Sequence, residues 1–222
     1  WIEGYLLKMA RIKVIIIPFG GDAYDYSNIH NNSLKYGLLA NYLGGATKVN
    51  AIKKRIYYWT YFADIIIPGF MMDGLPKFDV IVPSPFNIDI NDWECKKNYN
   101  NFNGINNYIK ILHTPNHRGF KGTEFIVKAV EDLKKEGYLL ELKLLSGVQN
   151  YKIKEEMQNS DILVEQLIFT GYAFSAIEGM ASGLPVLSNL ENDYYTLHQY
   201  RYSFLGECQI ISTTPENIKE KL

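Results

Sequence analysis

Residues 161–187 read DILVEQLIFTGYAFSAIEGMASGLPVL. Asp161–Val164 is a short, unbroken apolar run. A loop carrying Gly171 follows, then a helical pattern over Ala173–Ser182, then a Gly-Leu-Pro turn into a second apolar run at Pro185–Leu187. Apolar runs without alternation suit strands covered on both faces, as in parallel sheets. A helix between two such strands is the crossover that parallel pairing requires.

Outward from this stretch the pattern repeats. Tyr108–His113 (YIKILH), Leu139–Leu145 (LLELKLL) and Gln209–Ile211 are further runs. Thr123–Glu136 sets Phe125, Ile126, Ala129, Val130 and Leu133 on one helical stripe, and Tyr151–Asn159 and Glu216–Leu222 are candidate helices. The half from Tyr108 onward is thus a regular strand–helix series, about one Rossmann-like unit. The first half is less regular. Lys13–Pro18 (KVIIIP), Asp64–Pro68 (DIIIP) and Asp79–Pro83 (DVIVP) are its strands, with Ala51–Phe62 as a helix. The Asn-rich segment 96–107, KKNYNNFNGINN, lacks periodicity and reads as a linker or an exposed loop. The chain divides near residue 104, into units 1–104 and 105–222.

The 222 residues include 23 Lys+Arg and 24 Asp+Glu, a formal net charge of −1, and 47% are hydrophobic. This is a folded composition with no general pull toward nucleic acid, and no basic stripe accompanies the aromatic residues. No run approaches the roughly 20 apolar residues of a membrane span. The N-terminus carries no signal-peptide pattern, and Cys95 and Cys208 have no metal-ligand spacing, so a cytoplasmic protein is expected.

Two segments carry candidate chemistry. In Thr170–Val186, a helix that starts beyond the carboxyl end of a strand directs amide groups and its positive end toward anions. Glu178 on that helix either accepts ribose hydroxyls or lies on its wet side. In His113–Thr123, HTPNHRGFKGT, a strand ends in a loop bearing Arg118 and Lys121. These two form either a diphosphate clamp or a solvated basic loop capped by Thr123.

The order H-x-P-x-x-R-x-x-K-G-T, then DILV, then G-Y-x-x-x-A-x-E-G-M-A-x-G-L-P-V resembles the donor-binding domain of GT-B glycosyltransferases. Family 4, the glycosyl transferases group 1, is the most similar. The likeness is strong over Tyr108–Asn189 and weaker over Arg11–Asp92. It implies an α/β protein of GT-B type: a Rossmann-like C-terminal donor domain plus part of a second Rossmann-like domain on the acceptor side. It implies a retaining enzyme in polysaccharide or glycan biosynthesis, which moves a sugar from a UDP- or GDP-linked nucleotide-sugar to the hydroxyl of a glycan or lipid-linked acceptor. No metal or cofactor is implied. Arg118 and Lys121 would hold the donor diphosphate, Glu178 the ribose, and Gly171 and Tyr172 the phosphate and sugar. In such enzymes basic and aromatic faces touch the inner face of the membrane, a role for Lys53, Lys54 and Arg55.

The sequence also departs from the family. Thr170 stands where the first Glu of its E-x7-E pair contacts the donor sugar, and Glu165 is either a substitute acid or a structural residue. Phe19 replaces the usual acceptor-side His, leaving Asp22 as the polar candidate there or as part of a turn after Gly20-Gly21. Two such domains need about 300 residues, so the chain is expected to be part of a longer protein. A non-catalytic nucleotide- or partner-binding module and a sugar-nucleotide epimerase are the alternative readings.

Overall fold

A computed structural model describes residues 1–18, 26–27, 29–42, 44–68, 75–80, 87–96, 103–191 and 208–222. The C-terminal half is an α/β unit. Strands β3 (Ile109–His113), β4 (Leu140–Leu144), β5 (Ile162–Gln166), β6 (Val186–Ser188) and β7 (Ile211–Ser212) form one sheet in the order β4-β3-β5-β6-β7, and every pairing is parallel. This arrangement is compatible with a Rossmann-like fold. The N-terminal half contributes β1 (Ile15–Ile16) and β2 (Ile65–Ile66), paired in parallel as a separate small sheet. Of the expected strand Asp79–Pro83, only Asp79 and Val80 lie among the described residues. Their amides reach the Ile66 carbonyl without forming a strand.

Both faces of the large sheet are covered, so the inner strands β5 and β6 are buried almost throughout, whereas the edge strand β4 (LELKL) alternates and the edge strand β7 is exposed. Helices α4 (Arg118–Lys121) and α5 (Thr123–Lys135) follow β3. Ile126, Ala129, Val130 and Leu133 of α5 pack on Ile111 and Val164, together with Ile218 of the last helix. On the opposite face lie α6 (Asn150–Asn159) and α7 (Phe174–Ala181), where Met157 and Ala176 pack on Leu112 and Leu163. Trp93 joins this second cluster. Lys96 donates to the Ser160 carbonyl and pairs with Asp161 at 3.0 Å. Residues before position 104 are therefore already packed on the C-terminal sheet.

Three α-helices lie among the described residues of the N-terminal half: α1 (Glu3–Met9), α2 (Asn32–Asn41) and α3 (Val49–Phe62). The sequence patterns anticipate α3 but neither α1 nor α2. Asn31 caps α2 by accepting from the Leu34 amide at 2.9 Å, and Leu34 and Leu38 bury one edge of the helix. Gly37 brings α2 against the C-terminal half, since a Cβ there would stand 3.0 Å from the Gly119 carbonyl oxygen.

Between α4 and α5, Gly122 has φ +74°, and a Cβ added to it would meet Leu167 Cβ at 2.9 Å. Left-handed backbone and overpacking combine here, so Gly122→Ala is expected to cost about 2–4 kcal/mol of unfolding free energy. Gly137, at φ +100° with nothing within 4 Å of its notional Cβ, is the control. Its Ala variant should lose distinctly less in urea denaturation, and equal losses would show that the Leu167 contact is immaterial.

Candidate functional site

The chain leaves β3 toward β4 on one side and then returns to β5 on the other, so the order of strands reverses between β3 and β5. In an open parallel sheet the loops beyond the carboxyl ends of two such strands diverge to opposite faces and leave a crevice between them. Arg118 and Lys121, expected on a loop, are the first and last residues of the one-turn helix α4 that follows β3. The loop after β5 carries Thr170, Gly171 and Tyr172.

Lys121 does not face solvent. Its side chain is 5% exposed, and its ammonium donates to Glu165, whose side chain is fully buried, and to Gln166 Oε1 at 2.8 Å. Glu165 also accepts from the hydroxyls of Ser175 and Ser188, each at 3.1 Å. Gln166 Nε2 donates to the Gly171 carbonyl at 3.1 Å, and that carbonyl lies 2.8 Å from Ser188 Oγ, whose single proton is shared between it and Glu165. A single buried network thus ties the β3 loop, the end of β5, the Gly171 loop, the first turn of α7 and the end of β6. In it Glu165 serves as the counter-charge and anchor of Lys121.

The other predicted residues are distributed around this network. Arg118 is half exposed and pairs with Glu124 on the surface, Nη2 to Oε1 at 2.7 Å. The Gly171 amide points inward to the Asn189 carbonyl at 2.6 Å. Tyr172 is buried in the α6–α7 core and Thr170 is buried beside it. Glu178 has partners of its own. It is half-buried on α7 and hydrogen-bonded to Asn150, the first residue of α6, with Lys154 nearby. Burial raises its pKa above the ordinary carboxylate value against the pull of those two partners. Asp22, Phe19 and the Gly20-Gly21 turn lie outside the described residues.

Sequence reasoning assigned no role to His113, which is fully buried at the end of β3. Its Nδ1 lies 2.7 Å from the Val164 carbonyl, which only accepts, so Nδ1 carries the proton and Nε2 accepts from Thr123 Oγ1 at 2.8 Å. Burial above all, with the neighbouring Lys121 and Arg118 charges, lowers its pKa to about 4 against the opposing Val164 bond. The ring is a neutral brace between β3, β5 and α5.

A separate cleft of about 820 Å³ opens between α2, α3 and the same β3 loop. Asn116, His117 and Phe120 form its C-terminal wall. The Tyr42 hydroxyl lies 2.6 Å from His117 Nε2 across it. Among the described residues there is no cluster of three or more His, Cys, Asp or Glu suited to a metal ion, and no helix is long and apolar enough to cross a membrane. No known family model matches the chain, and no curated protein matches it.

Proposed function

We propose that this chain carries the donor-binding half of a GT-B glycosyltransferase. On this reading it is a retaining, metal-independent enzyme of polysaccharide or glycan biosynthesis that works in the cytoplasm, at the inner membrane face when its acceptor is lipid-linked. The single observation behind the reading is the convergence of the Arg118–Lys121 loop and the Gly171 loop at the strand-order reversal, where open parallel sheets take their ligands. The donor is a UDP- or GDP-linked sugar.

The roles of the two cations differ. Lys121 is already neutralised by Glu165, so its work is to hold the two loops in register. Arg118 is the cation free to turn, because its partnership with Glu124 is exposed and surface pairs are weak. As the bond from the sugar to the diphosphate breaks, negative charge grows on the leaving oxygens, and the guanidinium meets it with a bidentate fork. Glu178, beside Asn150, accepts hydroxyls of the ribose.

Arg118→Ala is expected to weaken UDP or GDP binding by about tenfold to a hundredfold, in line with the loss of a charge-assisted hydrogen bond. Isothermal titration measures this, after a thermal-shift panel of UDP, GDP and ADP has identified the base. If no nucleoside diphosphate raises the melting temperature, the proposal fails. The neutralised Lys121 favours a second reading, a nucleotide-binding module without turnover. Release of UDP or GDP from a sugar-linked donor on addition of acceptor rejects that alternative.

A further inference from the structure

Two side chains outside every sequence motif stand around Glu178. Asn150 and Lys154 lie one turn apart on the same face of α6, and Asn150 is its first residue. The Asn150 side chain is hydrogen-bonded to the Glu178 carboxylate, and the Lys154 charge acts on it from the next turn. An ionised carboxylate only accepts, so Asn150 donates through its amide nitrogen. Ile153 of α6 and Ile177 and Met180 of α7 pack on the core beside this contact. Glu178 is thereby partly taken from water and needs partners to stay charged. Lys154 has its own supports. Its ammonium lies 4.8 Å from the centre of the Trp93 ring and 3.8 Å from Asp92 Oδ2, so Asp92 is the acid that competes with Glu178 for this cation.

We infer that Asn150 is a positioning residue for nucleotide recognition, with Lys154 as its charged companion: the pair holds Glu178 as a fixed, acceptor-only carboxylate for the hydroxyls of a ribose. The inference rests on the proposed nucleotide site and adds the junction of β4 and α6 to the segments that build it. A carboxylate offers about four acceptor positions. Asn150 occupies one of them, which fixes the plane of the group and leaves the others for hydroxyl donors. A protonated Glu178 would present a donor to a diol that is itself a donor, and the match would be poorer. Ribose preference, more than phosphate affinity, therefore depends on Asn150. Through Lys154 the contact also reaches Trp93 and Asp92, which precede the C-terminal unit in the chain.

The experiment uses the full chain with UDP, GDP and their 2′-deoxy counterparts, titrated by calorimetry at pH 7, 6 and 5. Asn150→Asp is the decisive variant. It keeps the shape of the side chain, and an acid in the first turn of a helix suits the helix dipole, so α6 is not weakened. It exchanges the donor for a second carboxylate beside Glu178. UDP or GDP affinity should fall by about tenfold or more at pH 7, as expected when a like charge replaces a charge-assisted hydrogen bond. The 2′-deoxy nucleotide offers Glu178 one hydroxyl fewer and should lose distinctly less. Asn150→Ala and Lys154→Met should each move the acidic loss of affinity to higher pH, because each removes a group that opposes protonation of Glu178. Asn150→Ser keeps a donor and should restore part of the ribose preference. Carbon-13 NMR of the glutamate carboxyls reads the same effect without nucleotide: Glu178 should titrate at higher pH in Asn150→Asp than in the parent.

A parent chain that binds UDP or GDP, with the ratio of ribose to 2′-deoxyribose affinity unchanged in Asn150→Asp, overturns the inference and leaves the proposed function standing. An unchanged Glu178 titration in that variant overturns it as well, since Asn150 then does not act on the carboxylate. If no nucleoside diphosphate binds the parent, the proposed function falls and takes this assignment with it.

Discussion

Lys121→Met is expected to lower the unfolding free energy by about 3–5 kcal/mol, the usual cost of leaving one member of a buried ion pair without its partner. Glu165 has a fully buried side chain, and after the substitution only the Ser175 and Ser188 hydroxyls remain to meet its charge. The double variant Lys121→Met/Glu165→Gln removes both charges and keeps a polar group for the serines. It should recover most of the loss, since apolar or neutral replacements of buried pairs are often tolerated. Urea denaturation of the two singles and the double completes the cycle, and additive losses would show that the two groups do not interact. A consequence for function follows. Loss of nucleotide binding in Lys121→Met reports on the position of the Gly171 loop, because Gln166, bonded to the same ammonium, holds the Gly171 carbonyl. Arg118 is the position at which phosphate recognition is tested without disturbing the core.

Acid should destabilise the protein well above the range of ordinary carboxylate titration. His113 titrates near 6.5 when unfolded and at about 4 when folded. Between those values the unfolded chain binds more protons than the folded one, so stability falls as pH falls. The effect of the full interval is about 3 kcal/mol. The cause is that a charged imidazole would sit buried beside Lys121 with Thr123 as its only new partner. Glu178 acts in the opposite sense. Its raised pKa means that the folded state holds its proton to higher pH, and this favours folding slightly as the pH drops toward 4.5. Denaturant melts at pH 7, 5.5 and 4.5 should show the net decline, and His113→Gln should be less stable at pH 7 but flatter across the series. A variant that declines as steeply as the parent would assign the acid sensitivity elsewhere.

The inner strands β3, β5 and β6 of the C-terminal sheet are legible because each is a short, largely apolar run, as burial on two faces requires. Thr123–Glu136 is legible as a helix because charges and apolar side chains separate at the period of 3.6. By contrast α2 escapes the periodicity. Gly37 interrupts its apolar edge, and the reason for that glycine lies 82 residues away, at the Gly119 carbonyl. The Asn31 cap and the Leu34/Leu38 pair are the local signals that mark this helix. For the candidate site, the position of each segment was legible in the sequence and the contacts of its residues were so only in part. Arg118, Lys121, Thr170, Gly171 and Glu178 fall on or beside the loops expected, but Lys121 faces an acid, the Gly171 amide faces inward, and Tyr172 is core.

The sequence by itself determined the alternation of buried strands and amphipathic helices, and with it a parallel sheet, because those patterns are written in spacings of two to four residues. Only the tertiary structure decided that Lys121 pairs with Glu165, that His113 stays neutral, and that aromatic rings from distant segments share a cleft with Lys48 and Arg55. Contacts of that kind depend on which strand lies beside which and in what register. The resulting local field decides whether a cation recognises a ligand or holds the fold together.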